Sequence, residues 1–179
     1  MDIQKLKFPI GEYIPNKNPS SDLIALWISE IEDFPARVQD LTRNISVEKL
    51  NWRYRPGGWK VKQVIHHCSD SHMNSLIRFK LTLTENHPTI KPYFEDKWAE
   101  LIDSQDNDIS YSLKLLNGLH EKWGVLLRSL SNEQMSLEYT HPVHGEKFNL
   151  AETIGNYAWH CNHHLGHIKN GIASNGKYH

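Results

Sequence analysis

Apolar residues recur at three- and four-residue spacing in four stretches of the chain, and each stretch predicts a helix with one buried face. In the first, Leu23, Trp27, Ile31, Phe34, Val38 and Leu41 follow Ser20 and Ser21, either of which is a suitable N-cap. Pro35 lies inside this helix as a candidate kink. The second runs from about Trp59 to Leu83, roughly 38 Å long at a rise of about 1.5 Å per residue. The third starts near Asp108 and ends near Leu130, with Leu113, Leu116, Leu119, Trp123 and Leu127 as its stripe. The last follows Asn149 and Glu152, which have the spacing of a capping box, and runs to about Asn170 with Gly171 as its C-cap.

Smaller pieces join these helices. A short helical segment is expected from Ser46 to Leu50, and Arg55-Pro56-Gly57-Gly58 reads as a turn. Pro88 and Pro92 bound a loop, and Glu95 to Ser104 holds a helical turn or two. Ser131 with Gln134 resembles another capping box, and Tyr139 to Phe148 reads as a loop or small hairpin. The first 19 residues contain three Pro and little periodicity. Phe8 to Pro15 therefore reads as an extended arm, because Pro fixes φ and turns the residue before it away from helix. The apolar side chains of the arm suggest that it lies on the domain. With four long helices, no strand series, no repeat and no splitting linker, the expected fold is all-α. It is a four-helix bundle with short extra helical turns, one domain over residues 1–179, and an extended arm at 1–19 docked on it.

Composition narrows the function. The 179 residues carry 20 Lys+Arg against 21 Asp+Glu, a formal charge of −1. Such a chain presents no basic footprint for nucleic acid and no polybasic patch for an anionic membrane. The longest apolar run, Leu23 to Ile28, is far shorter than the roughly 18 residues of a spanning helix. Two cysteines, Cys68 and Cys161, make no disulfide framework, and no signal peptide is visible, so the expected location is the cytoplasm.

The 12 histidines are the unusual feature. His66, His67 and His72 fall on the second helix, and His160, His163, His164 and His167 on the last. His160 and His164 are four apart, so they share a helical face and can grip one ion together. On the second helix, at about 100° per residue, Val61, Val64, Cys68 and Phe79 lie about 60–120° from His67 and mark the core side. His67 stands at its margin and heads a polar lane of Ser71, Asn74 and Arg78. His66 lies about 100° away on the other side and His72 about 140° away, so His67 is the best third ligand. His66, His72, His163 and His167 are left as outer partners or surface residues. His87, His120, His141, His144 and the terminal His179 read as loop or surface.

Three imidazoles leave a position open for water or substrate, as catalytic sites do, and suit zinc or nickel. The sequence His160-Cys161-Asn162-His163-His164 lacks the Glu of H-E-x-x-H, so no general base is built in. Each cysteine follows a proposed ligand but is turned about 100° from it, and reads as a small buried residue, with a ligand or redox role as the alternative. Arg78 reads either as half of an ion pair or as the holder of a substrate carboxylate, with Asn74 beside it as a further substrate contact. Asp70, one turn from His67, is a candidate to orient a ligand or else a surface residue.

The stretch Trp59 through Leu83, with its His66-His67-Cys68 and His72, resembles the second-helix signature of the YfiT-type metal-dependent hydrolases of the DinB-like superfamily. Tyr157-Ala158-Trp159-His160-Cys161-Asn162-His163-His164-Leu165-Gly166-His167-Ile168 resembles their last-helix motif. Pro9-Ile10-Gly11-Glu12-Tyr13 and Arg55-Pro56-Gly57-Gly58-Trp59 are similar to the same subgroup. The resemblance implies a bundle with one zinc or nickel ion per subunit, held by His67, His160 and His164, in a cytoplasmic homodimer. Cys68 and Cys161 depart from its usual pattern, and leave open a site tuned by a thiol. The expected activity is hydrolysis of a small-molecule ester or amide by a metal-activated water. One alternative is an S-transferase that adds a low-molecular-weight thiol such as bacillithiol to electrophiles, with the metal activating the thiolate and Arg78 or Asn74 holding its polar groups. The other is a metal-binding protein without chemistry.

Overall fold

A computed structural model describes residues 2–143 and 145–178. His144 and His179 lie outside the described residues. The four predicted stripes form the four long helices: α2 (Ser21–Thr42), α4 (Val61–Thr84), α6 (Ser110–Arg128) and α8 (Leu150–Ala173). Short helices α1 (Ile3–Lys7), α3 (Val47–Leu50), α5 (Glu95–Trp98) and α7 (Asn132–Met135) and a hairpin of β1 (Glu138–His141) and β2 (Glu146–Asn149) fill the connections. The hairpin is antiparallel, with Glu138 opposite Asn149 and His141 opposite Glu146.

Caps set the helix starts. The Ser20 hydroxyl accepts from the Leu23 N–H, and Asn149 and Glu152 exchange side-chain bonds with each other's backbone N–H at 2.7 and 3.2 Å. Each long helix then buries its stripe in one core. Ile31, Phe34 and Val38 of α2 meet Leu116, Trp123 and Leu127 of α6 there, with Val64, Ile65 and Phe79 from α4 and Ile154, Ala158 and Ile168 from α8.

The order of packing positions the site. α2 packs against α6 and α8, and α4 packs against the same two helices. Helices α2 and α4, and likewise α6 and α8, therefore stand diagonally, and residues 43–60 and 129–149 are the connections that reach across. The arrangement places α4 beside α8, which carry the two histidine clusters.

Two expectations need correcting. The arm is not extended throughout, because residues 3–7 form α1. Asp2 caps it by accepting from the Gln4 N–H at 3.0 Å, and Lys5 and Lys7 suit its C-terminal end. The arm runs along α8: the Tyr13 hydroxyl donates to the Glu152 carbonyl, and the Trp159 indole N–H to that of Gly11. Pro9 presses so close to Gly166 that a Cβ there would lie 2.7 Å from its ring. Nor does α8 stop at Gly171, since it continues to Ala173. Gly171 is there for a close approach, because a Cβ on it would meet the Val61 side chain at 2.5 Å.

Candidate metal centre

His67 on α4 and His160 and His164 on α8 each bring one ring nitrogen to a common point, all within 4.8 Å of one another. Ring centroids lie 4.3 Å apart for His160 and His164, and 4.9 and 5.5 Å from His67 to His164 and His160. Burial, and then the nearby His167, holds the His67 imidazole down to about 3. Burial first, and the neighbouring rings second, holds His160 and His164 well below the ordinary range. All three are thus neutral near pH 7, each with an unprotonated nitrogen. Among the described residues no carboxylate bonds to any of them. Three converging neutral imidazoles suit a divalent cation and repel nothing until they are protonated, so the residues present fit the metal that the sequence implies.

The trio faces a cavity of about 690 Å³. One wall is the turn carrying Arg53, Arg55 and Trp59; another is α5, with Glu95 and Asp96; the arm closes a side with Lys7 and Phe8. Glu95, an exposed carboxyl on the cavity lining, is a residue that sequence spacing did not single out. It sits on a short helix far along the chain from either histidine motif, so no pattern linked it to them. Desolvation by the cavity walls raises its carboxyl pKa, Arg78 pulls it down, and Asp96 raises it again.

Behind the trio stand His72 and His167, which the sequence leaves as outer partners or surface residues, and His120, which it reads as loop or surface. His72 is fully buried and bonds His160, and His120, 1% exposed, bonds His72. Both signals were available. His72, about 140° from His67, lies on the far margin of the apolar side of α4, and on α6 His120 falls angularly inside the leucine stripe. His167 is buried against Tyr54, with centroids 3.9 Å apart, and meets His164. His163 stacks on Trp159 at 4.3 Å and lines the cavity. His66 is buried as well but turned to α6, where it bonds the Ser112 hydroxyl at 2.8 Å. His87 is exposed.

The other candidates separate. Cys68 and Cys161 are free and wholly buried in the apolar core, and desolvation pushes both thiols far up, which suits small packing residues rather than thiolate ligands. Asp70 bonds none of the histidines. Desolvation, and then Asp103, raises it to about 6. Asn74 donates to the Asp70 backbone carbonyl on its own helix. Arg78 makes no ion pair among the described residues, and its buried Nε has no hydrogen-bond partner. It lines a second cavity, about 450 Å³, with Tyr13, Tyr139 and Asn156, while its charge still reaches His160 and Glu95.

Comparison with known proteins places these features in a family. The chain is 48% identical over 163 residues to a protein of Bacillus cereus (strain B4264), covering 91% of this chain and 93% of the relative. It matches a protein of Bacillus thuringiensis subsp. konkukian (strain 97-27) to the same extent. Both relatives are named for an inferred metal-dependent hydrolase activity. The fold superposes on YfiT from Bacillus subtilis with a TM-score of 0.92 at 44% identity, covering 94% of this chain and 97% of that one. That structure is described as a probable metal-dependent hydrolase with an unusual four-helix bundle topology. Residues 30–168 match the pattern of the DinB superfamily, and the chain belongs to that superfamily.

Proposed function

We propose that this chain is a metal-dependent hydrolase that holds one zinc or nickel ion on His67, His160 and His164 and opens an ester or amide bond in a small molecule. The observation that carries the reading is the convergence of three neutral imidazoles on a cavity that Glu95, a carboxyl of raised pKa, also lines. A divalent ion so held supplies a Lewis acid and lowers the pKa of water. The chain supplies the rest. Glu95 accepts a proton from the attacking water and returns it to the leaving group, and a raised pKa brings it closer to the range useful for both steps. Trp59 and Phe8 line the cavity and restrict water. Arg78 lines the other cavity but its charge reaches His160 and Glu95, and so favours an anionic substrate, while Asn74 is committed to its own helix. The reading includes a homodimer in the cytoplasm.

The test is an activity panel of esters and amides on metal-loaded protein, with and without low-molecular-weight thiols. Turnover in proportion to bound metal, without thiol and lost in His67→Ala, is the expected result. Turnover only with thiol would replace the hydrolase by an S-transferase. Inertness with both, joined to a large loss of folding stability on chelation, would leave a structural metal.

A further inference from the structure

Pro35 stands in the interior of α2 and has no N–H to give to the Ile31 carbonyl, four residues earlier, which every other residue there would bond. That carbonyl is buried. It accepts instead from His120 Nδ1 on α6, at 2.6 Å. A carbonyl only accepts, so the His120 proton is on Nδ1, and in the neutral ring Nε2 is an acceptor. His120 Nε2 lies 2.7 Å from His72 Nδ1, which must then donate. The same step repeats from His72 Nε2 to His160 Nδ1 at 3.0 Å. His160 is left with Nδ1 protonated and Nε2 unprotonated, with the Ser71 hydroxyl 3.5 Å from that nitrogen. His120 and His72 are 1% and 0% exposed, and among the described residues no carboxylate bonds either ring, so both are neutral and the reasoning applies at pH 7.

A shorter chain backs the second ligand. The Lys7 carbonyl accepts from His167 Nε2 at 3.0 Å, so His167 Nδ1 accepts from His164 Nδ1 at 3.3 Å, and His164 also keeps Nε2 unprotonated. His67 has no hydrogen bond to another described residue.

The geometry points to a tautomer relay: the carbonyl freed by Pro35 sets the proton positions of His120, His72 and His160 in turn, so that His160 offers Nε2 to the ion before the ion arrives. His72 and His120 are positioning residues that act through His160. The long relay is no exit for protons, because it ends on a carbonyl inside the core. The inference rests on the proposed metal trio, and deepens it by assigning the ligating atom and the residues that fix it.

Nitrogen-15 NMR of the imidazoles in the metal-free protein, assigned by single His→Gln replacements, reads the tautomers directly. The expected pattern is a proton on Nδ1 in His72, His120, His160 and His164 and on Nε2 in His167. A proton on Nε2 of His72, His120 or His160 overturns the relay. The second measurement is zinc affinity by chelator competition in His120→Phe, which has no acceptor for His72 and does not touch the ion. Loss of an outer partner of a ligating His typically weakens binding about 10- to 100-fold, and that is the expected loss. Unchanged affinity in the folded variant overturns the relay, whereas a merely structural His120 lowers stability and leaves the wild-type tautomer pattern unordered. If His120→Phe does not fold, the wild-type spectrum alone decides. Failure of the wild-type protein to bind one zinc overturns the metal trio instead, and is read separately from the tautomers.

Discussion

The bundle has a dry side and a wet side. Where α2 meets α6, Ile31, Phe34 and Val38 face Leu116, Trp123 and Leu127, and the charged groups stay outside, as in the Arg128–Glu32 pair. Where α4 meets α8, the facing groups include His67, Ser71 and His72 against Tyr157, His160 and His164. Dry packing tolerates small adjustments, because dispersion and burial are non-directional. The wet side has no such freedom. Each buried ring nitrogen left unpaired carries a desolvation penalty, so each histidine fixes the next. All four helices share the apolar core, but the candidate metal centre belongs to one pair alone, and His120 is the joint. It stacks with Phe34 at 5.6 Å on the dry side and hands its acceptor to the wet one.

Acid should break the wet side first. His67, His120, His163 and His167 have folded-state values of about 3 to 4 against an ordinary value of 6.5, all depressed. Their contribution is fully present above about pH 6.5 and is lost as pH falls through about 4 to 3. Thermal melts of the metal-free protein should fall steadily from pH 6.5 to 4, and added zinc should move the loss to lower pH. A flat profile would mean that the rings are not neutral in the fold.

The dry side answers to size instead. Trp123→Ala, at a fully buried side chain, should cost about 3–5 kcal/mol in urea unfolding. Trp123 bonds no ligand but packs edge-on against His120 and Tyr157, so the division holds if zinc affinity per folded molecule stays within about twofold and fails if it falls further. His67→Ala is the converse: zinc affinity should fall more than the roughly 100-fold typical of an outer partner, with a much smaller change in metal-free stability than Trp123→Ala causes. Should both variants lose both properties together, the two sides are not separable. Gly171→Ala tests the seam between α4 and α8 and should cost about 1–3 kcal/mol by overpacking against Val61. The smallest effect is expected at the N-cap of α8, where Asn149→Ala should cost about 1 kcal/mol and leave the site intact.

Much of this is legible in the residues. The four stripes fix four helices because burial on one face leaves a 3.6-residue period, and the His160/His164 spacing puts both rings on one face whatever surrounds them. What escapes depends on contacts between elements. α1 is too short to show a period. Gly171 reads as a C-cap because its close neighbour, Val61, is more than a hundred residues away in sequence. His120 reads as surface because histidine is polar, although its angle on α6 places it among leucines. Pro35 reads as a candidate kink, and the carbonyl it frees matters only once α6 brings a donor to it.

The diagonal placement of α2 with α4 and of α6 with α8 has a consequence for how the protein is made. His67 and His160 are more than ninety residues apart, and α8 is the last long helix to be synthesised. A chain still on the ribosome holds at most one of the three ligands until that helix emerges, so it cannot capture the ion with three imidazoles early. Closing so long a loop is entropically expensive, and its cost grows only slowly with length. An ion that bridges α4 and α8 therefore clamps the first-made half of the bundle to the last-made half. An ion held by the proposed trio would then be captured only once α8 has formed against α4.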